Sequence, residues 1–154
     1  MNINLAALVN FLSIFALGRS AYLTDEEAVA SGVTQHCSLR SKIRPLAKFE
    51  DILKVSVSMV PLSFRELEAG TFSLTAEFDF RWDHQCARWH NDSDVEYFKL
   101  PIQESWHPSI LLINSMYKLN AFDKSGEHER IYFYKDGSVL WPTFDHFSVG
   151  CSLK

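Results

Sequence analysis

His84, Cys86 and His90 bring two imidazoles and a thiol into one short stretch, the beginning of a transition-metal site. On a strand His84 and Cys86 share a face, but no fourth ligand is evident and the spacing matches no compact zinc pattern. No metal is expected there. Cys86 has a second option, a disulfide with Cys37, and that pairing stays open at this level. With Cys151 the cysteine count is odd, which in a secreted chain means a free thiol, an intermolecular bond or a partner elsewhere. Ser, His and Asp side chains are present, yet no nucleophile elbow, phosphate-cradling loop or metal-protease motif organises them. Glu77, Asp79 and Arg81 recur on alternate residues, so they line one strand face, either solvated or set against a partner. Isolated carboxylates on a strand are not an acid–base pair. The chain does not read as an enzyme, and no cofactor is expected.

The elements that must hold these groups follow from composition and pattern. A chain of 154 residues, 47% hydrophobic and 14% aromatic, is sized for one domain with a packed, β-leaning core. The net charge is −4 and no basic run occurs, so a nucleic-acid partner is not expected, because phosphate neutralisation needs clustered Lys and Arg. Leu5 to Gly18 is apolar but shorter than the roughly 20 residues that span a bilayer. It reads as the core of a secretory signal peptide over residues 1–18, with Ala16 and Gly18 as the small residues before cleavage, although no Lys or Arg precedes it. A buried N-terminal helix is the alternative. Asn91-Asp92-Ser93 is a sequon, which makes Asn91 a candidate glycosylation site.

After the leader, Thr24 and Glu27 have the spacing of a capping box, and the acidic first turn suits the helix dipole. The helix is expected to end near Cys37, before Arg44-Pro45. From Ile52 the period becomes two: Leu53, Val55, Val57 and Met59 share a face, then Val60, Leu62 and Phe64. That phase flip predicts a bulge or a change of sheet, and Pro61 predicts an edge position. Thr71 to Trp82 alternates without a break, with Phe72, Leu74, Ala76, Phe78, Phe80 and Trp82 towards a core and the other face towards water or a partner. Ser109 to Asn114 reads as a short buried strand. Arg130 to Lys135, Asp136-Gly137 and Ser138 to Trp141 read as a hairpin with a two-residue turn. The fold class is therefore all-β, an immunoglobulin-like β-sandwich with a short N-terminal helix.

Several landmarks occur in a specific order. Arg44-Pro45 precedes the first strand, and Trp82 and Trp89 follow. Leu100-Pro101 then leads to Trp106-His107-Pro108-Ser109-Ile110 and Asn114-Ser115, and Asp136-Gly137 leads to Trp141, Phe147 and Cys151. From about Ile43 to Cys151 the chain resembles the extracellular ligand-binding domain of Cys-loop, nicotinic-type ligand-gated ion channels. It departs from that pattern at His84, Cys86 and Ala87, at Ser109, and by a small insertion between Asp123 and Arg130. The resemblance implies a partial domain over residues 19–154, incomplete at the C-terminus, with the Cys-loop partner of Cys151 and the pore-forming helices lying beyond Lys154. Missing strands would leave unpaired edges and a tendency to aggregate.

In that family five homologous subunits form a ring and a small-molecule neurotransmitter sits between neighbours, commonly a cationic amine drawn to aromatic ring faces. The resemblance places Ile113 where the principal face carries its first cage tyrosine, and Glu77 where the complementary face carries a tryptophan. Tyr132, Leu140 and Pro142 fall on complementary-face hairpin positions. Ile113 offers no π face and Glu77 offers charge, which implies a divergent subunit. The four tryptophans are expected in the core and turns rather than on ligand. The implied location is the secretory pathway, then the outer face of the plasma membrane within a full-length receptor. The alternatives are a secreted ligand sink similar to acetylcholine-binding proteins, or a truncated subunit that modulates intact receptors.

Overall fold

The computed structural model describes residues 24–39, 43–46, 48, 50–67, 70–90, 93–115, 122 and 129–150. The proposed leader, the sequon residue Asn91, most of the proposed insertion and Cys151 lie outside them. The described chain is mostly β, with one helix, α1 (Asp25–Cys37), and five strands. These are β1 (Ser56–Leu67), β2 (Thr71–Asp83), β3 (Tyr97–Pro101), β4 (Arg130–Tyr134) and β5 (Ser138–Gly150), joined antiparallel in the order β1-β2-β5-β4-β3. One such sheet with a short N-terminal helix is consistent with the immunoglobulin-like class.

The helix starts as its sequence dictates. The Thr24 hydroxyl accepts from the Glu27 amide at 3.2 Å, and the Thr24 amide donates to the Glu27 carboxylate at 3.0 Å. It stops after Cys37, where Ser38 turns left-handed (φ 52) and donates its N–H to the Thr34 carbonyl. Val33 and Leu39 are buried, and the helix packs beside β3.

In β1 the phase flip becomes a bulge. Pro61 is opposite Ala76 and Ser63 opposite Thr75, so Leu62 is the extra residue, and Phe64 returns to the face it shares with Val57 and Met59. β1 is an edge strand, which tolerates Pro61. β2 pairs with β5 along its whole length, from Thr71 opposite Gly150 to Asp83 opposite Ser138. Its inner face carries the aromatic core: Phe80 and Trp82 on β2, Val139 and Trp141 on β5, Ile131 and Phe133 on β4, Phe98 on β3. Phe98 stacks on Phe133 at 5.2 Å, Phe80 meets Trp141 at 5.1 Å, and Trp82 meets Trp106 edge-on at 5.6 Å. Phe122 contacts Phe78, Phe80 and Phe147, and Trp89 donates its indole N–H to the Val95 carbonyl. All four tryptophans are core or core-packed, as expected.

Three expectations need correction. Ser109–Asn114 is not a strand: Ile110 and Leu112 lean on the core while Leu111 and Ile113 face out, and among the described residues this stretch meets β5 at the Ser115–Val149 bridge and the Gly150–Asn114 hydrogen bond. Apolar run length alone does not distinguish such a segment from a strand. The β4–β5 connection is three residues rather than two: Gly137 N–H donates to the Tyr134 carbonyl, and Gly137 adopts φ 88, the conformation of a type I turn closed by a glycine bulge. β5 continues past Trp141 to Gly150, held by β2. On the outer face, Ser73 of β2 and Ser148 opposite it on β5 are buried and share a hydrogen bond at 2.6 Å.

Candidate functional site

The outer face of the sheet collects most of the residues singled out for ligand. Tyr132 on β4 is opposite Leu140 on β5, and Leu140 is opposite Arg81 on β2. Two residues further along, Pro142 is opposite Asp79, and then Phe144 is opposite Glu77. Period-two alternation puts Leu140, Pro142 and Phe144 on one side of β5 and Arg81, Asp79 and Glu77 on the same side of β2. Glu77, Tyr132, Leu140 and Pro142 therefore belong to one continuous surface. The β4 ladder ends at Leu140, two residues before Pro142, so the imide position falls where β4 no longer pairs.

Ile113 is elsewhere. It is 88% exposed on the turn that touches the far end of β5 near Val149, away from the Leu140 end where Tyr132 lies.

The polar groups on the outer face are partly self-satisfied. Arg81 donates to Asp79 at 3.2 Å in an exposed pair, which adds little to stability. Thr75 and the His146 ring share a hydrogen bond at 2.9 Å. Towards β3 the surface becomes aromatic, with Tyr97 near Tyr132 and Tyr134, and the Lys99 ammonium above two of these rings. The sequence reading does not single out Tyr97 or Lys99, because it does not anticipate β3, and Tyr134 gains its neighbours only through pairing with that strand. The alternation Tyr97-Phe98-Lys99-Leu100, exposed-buried-exposed-buried, was the available signal.

Just past the C-terminal end of β2, Cys37 and Cys86 form a disulfide with Cα atoms 5.6 Å apart. It ties the end of α1 to the turn after β2 and consumes the thiol of the His84, Cys86 and His90 set. His84 is half-buried. Burial pushes its pKa below the ordinary 6.5, against smaller opposing effects of a backbone hydrogen bond and Asp83. Its Nδ1 accepts from the Ala87 amide at 3.2 Å, a role open only to an unprotonated nitrogen. A groove of about 420 Å³ lies over the bridge, lined by Arg44, Pro45, His84 and Trp106 among others.

A disulfide-anchored helix beside a β-sheet with a patterned outer face is the frame that carries these residues. Residues 27–154 match the neurotransmitter-gated ion-channel ligand binding domain, and the chain belongs to that family. No curated protein matches it closely enough to add a relative.

Proposed function

We propose that this chain is the extracellular transmitter-binding portion of a ligand-gated channel subunit and that it works in a ring of homologous subunits. The outer face bearing Glu77, Tyr132, Leu140 and Pro142 is the complementary side, and the turn bearing Ile113 belongs to the principal side offered to the next neighbour. The observation that carries this reading is the register that gathers four of the five residues on one surface while leaving Ile113 exposed at a separate place. Two different patches on one chain suit a head-to-tail contact, and such contacts close into rings. The ligand is a small neurotransmitter received at the outer surface of the cell. The Cys37–Cys86 bridge is in keeping with an oxidising compartment, and no helix among the described residues is long and apolar enough to cross a membrane.

Mixed crosslinking tests the arrangement. In a Cys151→Ser background, one population carries Ile113→Cys and the other Glu77→Cys, and a short bis-maleimide is added. A head-to-tail ring gives crosslinks only between the two populations. Crosslinks within either population alone, or none at any concentration, would overturn the assignment.

A further inference from the structure

Three tyrosines and one lysine occupy the corners of a cross-strand square on the outer face of β3 and β4. Tyr97 is opposite Tyr134, and Lys99 is opposite Tyr132. The Tyr97 ring is 5.9 Å from the rings of both Tyr132 and Tyr134. The Lys99 ammonium lies 5.1 Å from the Tyr132 centroid and 5.5 Å from that of Tyr97. Both distances are within the roughly 6 Å over which a cation is held by a ring face. Lys99 is an exposed residue with water as its alternative, and among the described residues no carboxylate forms an ion pair with it. Its ammonium nevertheless rests on two rings at once.

We propose that the paired ring faces of Tyr97 and Tyr132 form a cation-binding site occupied by the chain's own Lys99, and that a quaternary ammonium group settles on them only when that lysine is displaced. The physical basis is competition. A lysine ammonium is compact and strongly hydrated, so it gives up water reluctantly to reach a ring. A quaternary ammonium carries no N–H and suits aromatic faces better. The lysine compensates by its tether, since a four-carbon stem from the neighbouring strand position makes its binding intramolecular, with an effective concentration that free cations match only in the millimolar range. Lys99 is thus a specificity-determining residue: it holds this surface against cationic ligands while presenting a positive charge of its own. The inference needs only the surface of this chain, so its failure leaves the ring arrangement standing, and the reverse is also true.

The test titrates tetramethylammonium chloride into the full chain at constant ionic strength, with ring-labelled tyrosine followed by NMR. Only five tyrosines contribute signals. Native protein should show weak shifts, whereas Lys99→Gln should show Tyr97 and Tyr132 shifts with about two- to fivefold tighter binding, the scale of an exposed cation–ring contact. Lys99→Arg keeps a cation on the rings and should behave as native. Adding Tyr132→Leu to Lys99→Gln should abolish the response while the Trp and Phe signals of the core stay dispersed. Equal titrations of native and Lys99→Gln, no response in either, or a response that survives Tyr132→Leu would each overturn the proposal.

Discussion

The two flanks of this sheet are built from similar residues but are covered very differently. On the β4–β3 flank, Trp141, Phe133, Phe98 and Ile131 are almost wholly buried, and α1, the Trp106 loop and the Cys37–Cys86 bridge close over them. On the β1 flank, Val57, Met59 and Phe64 face the same inner side, yet each keeps half or more of its surface. A cavity of about 350 Å³ opens there, lined by Val57, Met59, Phe72, Leu74, Phe78 and Phe147 among others. Aromatic content alone therefore does not make a core. A strand contributes burial only when a second layer is laid on it.

The sharpest way to break this comparison is to hollow the closed flank. Trp141→Ala removes a side chain 1% exposed in contact with Phe80 and His107. It should cost about 3–5 kcal/mol in denaturant unfolding. A cost below about 1 kcal/mol would mean that the two flanks are energetically alike. Next in size is the bridge. Replacing Cys37 and Cys86 together by serine frees a loop with a sequence separation of 49. Chain-entropy reasoning gives a loss of up to about 4 kcal/mol. Unfolding with and without reductant checks it, and the double variant should be insensitive to reductant.

Gly137→Ala tests the turn that registers β4 against β5. The φ of 88 is strained for any L side chain, and an added Cβ would lie 2.8 Å from the Arg88 side chain and 3.3 Å from the His84 carbonyl. Arg88 is flexible and can yield, but the backbone angle cannot, so a loss of about 1–3 kcal/mol is expected. Gly137→Asn should recover part of it. A smaller effect comes from pH. The folded pKa of His84 is lowered chiefly by burial, so folding favours the neutral ring. Its contribution is complete above the ordinary 6.5 and is lost as pH falls from there towards the folded value. Thermal unfolding between pH 7.5 and 5 should show a decline that His84→Gln removes.

Local signals were legible in the sequence wherever their cause was local. The capping box of Thr24 and Glu27, the bulge around Pro61 and the alternation of β2 all depend on neighbours in the chain, and they were read from it. The bridge between Cys37 and Cys86 was not legible, because it depends on where α1 and the end of β2 meet in space. β3 was missed for a similar reason: five residues with two buried positions become a strand only through pairing with β4. Ser109–Asn114 shows the converse error, apolar enough for a strand but without a continuous ladder to join. Of the candidate ligand residues, the resemblance supplied the positions. The register added that four share a surface and that Lys99 and Tyr97 extend it.

The open flank yields the smallest stability effect and the clearest contrast. Phe64 is 63% exposed, and among the described residues its ring meets that of Phe72, at 5.9 Å. Phe64→Ser therefore removes little buried surface, and a stability change within about 0.5 kcal/mol is expected. Self-association should respond much more strongly, because among the described residues β1 is an edge strand, and it displays exposed apolar side chains. Light scattering against concentration should show less association for Phe64→Ser than for native protein, at unchanged unfolding midpoint. A loss near that of Trp141→Ala would mean that Phe64 is covered in solution, and the two flanks would then differ in what covers them rather than in whether they are covered.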